Sequence, residues 1–151
     1  MEPEKDKEIH EKMGEILTKS LSVENRLELF IARYFINPSD ERSLFFDDII
    51  IQQLNFSSKI EIFKKICNRE KFPPNDIKDI IHLINEIKDI RNEVAHSETI
   101  LNISTERKHL VRRTMSSRPS IDLNKEFMEG FSKKINWTLN LITQFCLRIS
   151  Y

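Results

Sequence analysis

Apolar residues recur at steps of three and four along most of this 151-residue chain, the spacing that places them on one face of an α-helix. Three long stripes stand out: Ile9, Met13, Ile16, Leu17, Leu27, Phe30, Ile31, Tyr34 and Phe35; Ile77, Ile80, Ile81, Ile84, Ile87, Ile90 and Val94; and Phe127, Phe131, Ile135, Leu139, Ile142, Phe145 and Ile149. Because each stripe must be covered by another helix, the sequence predicts an all-α fold. The expected architecture is an up-and-down bundle of four to five helices in one domain, residues 1–151.

Proline and capping residues set the predicted ends of these helices. The first helix is predicted from about Lys5 to Ile36, with a break near Ser22 left open, because Asn37 precedes a proline and is disfavoured in the α conformation. A shorter helix is predicted from about Asp40 to Gln53. The next helix is predicted to start at Ser58, which has capping-box spacing to Glu61. The helix after it is predicted to start at Asn75 as its N-cap. The later helices are therefore predicted from Ser58 to about Asn68, from Asn75 through Val94, and from Asp122 or Asn124 onward.

Composition excludes several classes of protein. Two glycines in the whole chain argue against a glycine-rich phosphate loop and against a β-sandwich or barrel with many tight turns. The two cysteines, Cys67 and Cys146, form neither a disulfide scaffold nor a zinc cluster, so we expect free thiols that pack as small apolar groups. The apolar runs are too short to span a bilayer, and the charged start MEPEKDKEIHEK does not resemble a signal peptide. We therefore expect a cytoplasmic protein without membrane contact.

The net charge of zero conceals one basic segment. The chain holds 24 Lys and Arg against 24 Asp and Glu, yet the stretch RKHLVRRTMSSR, residues 107–118, contains five basic residues and no acid. It lies in a predicted basic loop at about 97–121, longer than most loops in compact domains. We expect RNA phosphates to be bound there by Arg107, Lys108, Arg112 and Arg113. The alternative is a solvated loop whose charges bind nothing specific.

The segment Arg91-Asn92-Glu93-Val94-Ala95-His96 ends the second stripe and carries the most chemistry. Residues four apart share a helix face, so Asn92 and His96 would lie together. Arg91 and His96, five apart, differ by about 140° around a regular helix. They can act on one ligand if the helix ends near Ala95, or if a second copy of the chain supplies the missing half. The spacing therefore favours a site at a helix end, at a dimer interface, or both.

This motif resembles the catalytic signature of the HEPN family, in which an arginine, a polar residue and then a histidine lie on the penultimate helix of a small bundle. The resemblance implies a homodimeric, metal-independent endoribonuclease that acts as a toxin or defence effector, with a composite active site. It assigns His96 as general acid and base, Arg91 as the phosphate-binding group and Asn92 as the orienting group. No metal or cofactor is expected, and the four histidines are dispersed along the chain.

Some relatives are neutralised by a partner that AMP-modifies a tyrosine two residues after the motif histidine. Here that position is Glu98. A protein antitoxin of another kind remains open as a partner.

A second interpretation is a non-catalytic dimeric regulator or scaffold. Leu44-Phe45-Phe46 and Phe56-Ser57-Ser58-Lys59-Ile60 look like the subgroup that includes the mannitol-operon repressor. In this interpretation Arg91 and His96 belong to a buried polar network that holds a dimer together. Direct DNA reading is not expected, because no short helix pair is joined by a tight glycine turn.

Other charged and aromatic residues are assigned structural positions. Glu24 and Glu28 are predicted to face solvent and to pair with Arg26 or Lys19. Lys59 is predicted to be a surface residue at a helix start. Trp137 and the phenylalanines at helical spacing are predicted to lie in the core.

Overall fold

The structure, a computed structural model, describes residues 2–37, 39–102, 107–112 and 121–149. Its elements are α1 (Glu2–Phe35), α2 (Arg42–Ile49), a 3-10 turn (Ile51–Gln53), α3 (Phe56–Arg69), α4 (Pro74–Ala95), β1 (Ser97–Asn102), β2 (Arg107–Arg112) and α5 (Lys125–Arg148). The helices pack around one apolar core. The predicted all-α bundle is confirmed.

Side-chain contacts define the direction in which α3 runs against α1. Near the start of α3, the Lys59 ammonium contacts Glu24. Further along, the Phe30 and Phe63 rings lie 4.6 Å apart, and at the end of both helices the Tyr34 hydroxyl donates to Glu70. The two helices therefore run parallel, and α2 with the 3-10 turn makes the return connection between them.

The α4 helix runs antiparallel to α5. Lys134 pairs with Glu86 in the middle of both helices, and Arg148 at the end of α5 lies 3.7 Å from Asp76 at the start of α4. Lys19 of α1 donates to Ser132 of α5. The carboxyl end of α4 therefore lies beside the amino-terminal parts of α5 and α1.

The core contains most of the apolar stripe residues but not every predicted aromatic. Leu27, Phe30, Phe63 and Ile84 are fully buried. The prediction for Trp137 is wrong, since 62% of its surface is exposed. The prediction is also wrong for two phenylalanines, Phe35 and Phe45, which expose 56% and 67%. Trp137 follows the buried Ile135 by two residues, about 200° around the helix, so it lies on the side of α5 that faces away from the core.

The observed helix ends correct several predicted boundaries. The α1 helix continues through Ser22. The α2 helix is shorter than the predicted segment 40–53, whose last part is the 3-10 turn. The α3 helix begins before the predicted capping box, because Asn55 is its N-cap and accepts from the Ser58 backbone N–H at 2.8 Å. The predicted N-cap Asn75 lies inside α4 instead, whereas α5 begins after Asn124, one of the two predicted starts, whose side chain caps it.

The caps give a stability prediction with a control in the same chain. Asn55→Ala and Asn124→Ala each remove a side-chain acceptor from a helix start and should each lower the free energy of unfolding by about 1 kcal/mol. Asn75→Ala, in the first turn of α4 and without a capping role, should change it by less than about 0.5 kcal/mol. Urea unfolding followed by circular dichroism measures all three. A loss for Asn75→Ala as large as for Asn55→Ala would contradict the observed caps.

The predicted loop at 97–121 is wrong for two of its segments. β1 pairs with β2 in antiparallel register, with Thr99 opposite Leu110 and Ile100 opposite His109. Thr, Ile and Val have high strand propensity, but each run is short and its periodicity is weak. The two runs form strands because they pair with each other. The sequence of either run by itself does not predict this pairing.

Candidate functional site

The carboxyl end of α4 carries the motif. The helix ends at Ala95, and His96 is its C-cap, with a backbone N–H that donates to the Asn92 carbonyl at 3.1 Å. His96 is exposed, whereas Val94 two residues before it is fully buried. The helix thus ends at Ala95, which was one of the two conditions considered from the sequence, and it leaves the imidazole at the surface.

Arg91 and Asn92 form a polar pair one turn before the helix end. Both residues are half-buried, and Arg91 Nη1 donates to Asn92 Oδ1 at 3.4 Å. A guanidinium has five N–H donors, and this long bond occupies one of them. One long hydrogen bond therefore joins the two side chains, and the half-buried guanidinium is still partly accessible to an anion.

Arg91 and His96 lie at different angles around α4. Burial of Glu93 and Val94 marks the side of the last turn that packs inward, and the half-buried Arg91 and the exposed His96 flank it. Glu93 also has an interaction partner. A single copy thus presents the arginine and the histidine at one helix end on separate faces.

The dipole of the α4 helix also affects charged side chains at its carboxyl end. The carbonyl groups of the last turn carry partial negative charge, which favours cationic side chains there. Arg91 and His96 are the basic groups of this segment, and Asp89, Glu93 and Glu98 are the acids nearest to it in sequence. The helix end therefore favours the positive charge of Arg91 in this segment.

The hairpin brings part of the basic segment to the motif. β1 begins directly after His96, and its first residue, Ser97, is opposite Arg112 of β2. Arg107 and Lys108 are opposite Asn102 and Leu101, at the far end of the hairpin.

Of the four predicted phosphate-binding residues, Arg112 is therefore the one whose backbone lies beside the motif. Arg113 lies outside the described residues. At about 3.3 Å per residue, Arg107 is roughly 17 Å further along the strand than Arg112.

A buried charge cluster lies elsewhere in the bundle. The Lys59 ammonium contacts Glu24 at 2.7 Å and Glu28 at 2.6 Å, and only 4% of the Lys59 side chain is exposed. Gln52 donates to the second oxygen of Glu28. The predictions that Lys59, Glu24 and Glu28 are solvent-facing surface residues are wrong.

Two opposing effects act on the pKa of Lys59. Burial by itself lowers the pKa of an ammonium group, but the hydrogen bonds and charges of Glu24 and Glu28 outweigh it and raise the pKa. Lys59 lies three residues after Phe56 and four before Phe63, on the apolar stripe of α3. That position is the signal by which the sequence could have identified it as buried.

The charge cluster is separate from the motif. Two contacts fix heights along the bundle axis: Lys19 of α1 meets Ser132 of α5, and Glu86 of α4 meets Lys134 of α5. Since α4 runs antiparallel to α5, Arg91 lies at the height of about residue 16 of α1. Glu24 is eight residues further on, a separation of about 12 Å along the bundle. The cluster therefore stabilises the α1–α3 contact and does not contribute to the site.

The thiols behave as packing groups. Cys67 is fully buried and Cys146 is half-buried, and burial raises the pKa of Cys67 to about 12. A thiol with so high a pKa is a poor nucleophile at neutral pH. The prediction that both cysteines are free and pack as small apolar groups agrees with this environment.

Among the described residues, no three His, Cys, Asp or Glu side chains are grouped so that they could hold a metal ion. No helix within the described ranges has the length and apolar character needed to cross a bilayer.

Comparisons of the chain with protein-family models, with curated proteins and with solved structures found no match.

Proposed function

We propose that this protein is a metal-independent endoribonuclease of the HEPN type, which acts as a toxin or defence effector in a homodimer with a composite active site. One observation carries the proposal: Arg91, Asn92 and His96 all lie at the carboxyl end of a bundle helix, with Arg91 hydrogen-bonded to Asn92 and His96 exposed. An exposed histidine beside an arginine supports the proposal, because RNA cleavage needs a proton-transfer group and a cation at the phosphate.

The chemistry follows from what RNA brings to the site. The 2′-hydroxyl attacks the adjacent phosphorus, the new 2′-O–P bond forms, and the P–O5′ bond breaks. One group must take the proton from the 2′-hydroxyl and another must give a proton to the leaving 5′-oxygen. A histidine titrates near neutral pH and can do either, while the Arg91 guanidinium stabilises the charge that develops on the phosphate oxygens.

This division of labour favours a dimer. The motif of one copy holds a single histidine, His96, and two proton transfers on opposite sides of the phosphorus need two groups. Two α4 ends brought together around a two-fold axis supply two histidines and two arginines. The angular separation of Arg91 and His96 on one helix is then no obstacle, because the arginine of one copy can act with the histidine of the other.

The basic strand extends the site along the RNA. Arg112, opposite Ser97, would bind a phosphate next to the scissile one, and Arg107 and Lys108 would bind phosphates further along. Arg113 is assigned the same role from its sequence. A protein antitoxin would neutralise the enzyme by covering this surface, since Glu98 offers no tyrosine for AMP modification.

The test is RNA cleavage in EDTA. The purified chain should cleave single-stranded RNA at some pH between 5 and 9 while DNA of the same sequence stays intact, because DNA lacks the nucleophile. RNA left intact throughout this range would contradict the proposal and favour the non-catalytic regulator. In that case Arg91→Ala and His96→Ala would change the stability of the dimer and would not change any rate of RNA cleavage.

A further inference from the structure

The α2 helix is apolar and yet poorly covered. None of its eight residues, all of which the structure describes, is buried. Leu44 exposes 77% of its surface, Phe45 67%, and Ile49 and Ile50 about half. Half of its residues are apolar, and an isolated helix of this length is marginal in water.

The exposed apolar side chains of α2 continue onto α1. Leu29 and Phe35 of α1 are 42% and 56% exposed, and the Phe35 ring lies 6.2 Å from that of Phe46. Between the two helices runs an open groove of about 320 Å³, whose walls include Leu29, Ala32 and Leu44. We call this area the α2 surface; its members are Leu29, Phe35, Leu44, Phe45, Ile49 and Ile50.

An apolar area of this kind marks an interaction site. Exposed apolar patches beyond a few hundred Å² are rare on monomeric proteins and usually bind a partner. Six of the nine large apolar residues that the described chain exposes belong to the α2 surface. The other three, Leu21, Trp137 and Leu147, lie on α1 or α5.

The charges around the α2 surface determine which partner fits. Glu41, Asp47 and Asp48 form no ion pair with any described residue, while Arg42 is engaged by Asp40. Arg33 is the basic residue that lines the groove. The rim is therefore acidic, and it would repel RNA phosphates, anionic lipid headgroups and a two-fold copy of itself.

We propose that the α2 surface docks a protein segment whose apolar side chains are flanked by Lys and Arg, in the form of an amphipathic helix. The groove between α1 and α2 takes the apolar face of the segment, the mode in which amphipathic helices bind. Its basic flanks meet Glu41, Asp47 and Asp48. This surface lies at the α2 end of α1, away from the motif, so its occupation leaves the RNA site open.

The experiment uses a synthetic probe. A fluorescein-labelled helix of about 18 residues, built from Leu on one face and Lys on the other, is titrated with the full chain and followed by anisotropy. Wild type should bind it and should not bind the matching Leu/Glu helix. The double variants Leu44→Ala/Phe45→Ala and Asp47→Lys/Asp48→Lys should each weaken binding at least about tenfold.

Leu147 of α5 provides the matched control. It is 78% exposed, as Leu44 is, so Leu147→Ala removes a similar apolar area elsewhere and should bind the probe like wild type. Equal binding by all variants, equal binding of both probes, or no binding by wild type would overturn the proposal. A further contradicting result would come from sedimentation. If the wild type is a dimer and Leu44→Ala/Phe45→Ala is a monomer, a second copy of the chain occupies the α2 surface. None of these readouts depends on RNA cleavage, so this proposal and the ribonuclease proposal fail separately.

Discussion

Replacement of His96 by alanine should slow RNA cleavage by about 10²- to 10⁴-fold, the range that general acid–base catalysis contributes. The imidazole is exposed at the end of α4, so its removal leaves no cavity and should not unfold the bundle. The loss should therefore appear in the rate of the chemical step. Single-turnover cleavage in EDTA, with enzyme in excess over labelled RNA, measures that rate directly.

His82 is the matched control for this variant. It lies on the same helix, and its side chain is 74% exposed, but it is almost four turns away from His96. His82→Ala should cleave RNA at the wild-type rate. If His96→Ala keeps the wild-type rate, or if both variants lose activity equally while folded, His96 is not the proton-transfer group.

Replacement of Lys59 by alanine should lower the free energy of unfolding by about 3–5 kcal/mol, the loss expected when one partner of a buried ion pair is removed. The variant leaves Glu24 and Glu28 largely buried, with their side chains 12% and 14% exposed, and without their common cation. Urea unfolding of the wild type and the variant at neutral pH gives the difference.

Two controls separate burial from loss of charge. Lys7→Ala removes an exposed lysine that lies 3.9 Å from Glu11, and should cost less than about 1 kcal/mol. The triple variant Lys59→Met/Glu24→Met/Glu28→Met should recover most of the stability, because no uncompensated carboxylate remains. A single Lys59→Ala loss no larger than that of Lys7→Ala would contradict the buried cluster.

The same cluster has a defined pH dependence. The pKa of Lys59 is raised in the folded state, so its contribution to stability is fully present below the pKa of the unfolded state. It is lost as pH rises through the folded pKa. The difference between wild type and Lys59→Ala should therefore shrink as the pH rises into the strongly alkaline range.

Much of the helical fold could be predicted because the apolar stripes are long and regular. Ile77 to Ile87 supply the buried side of α4, and Phe131 to Phe145 that of α5. The helix starts were harder, since Asn55 and Ser58 both suit a cap and only the backbone path selects Asn55. Trp137 was misplaced because its type was read as core although it is about 200° around α5 from Ile135, so the periodicity itself places it on the outer side.

The end of α4 could be located from sequence, and the buried charges could not. Arg91, Asn92 and His96 are close in the chain, so the helix end alone places all three at the same end of the bundle. Lys59 meets Glu24 only through the packing of α3 on α1, 35 residues apart in sequence. The hairpin was missed for the same reason, because Ser97 and Arg112 are neighbours only through strand pairing.

The composite site at the end of α4 is tested most directly by mixing the wild type with His96→Ala. The two proteins are dissociated together in equal amounts and allowed to form dimers at random, so that half of the dimers are hybrids with a single histidine. Because the two proton transfers need both histidines, only the wild-type homodimers should cleave RNA in EDTA, at about a quarter of the rate of the same total amount of unmixed wild type. A mixture that keeps about half of that rate, with the hybrid dimers confirmed, would contradict the composite site.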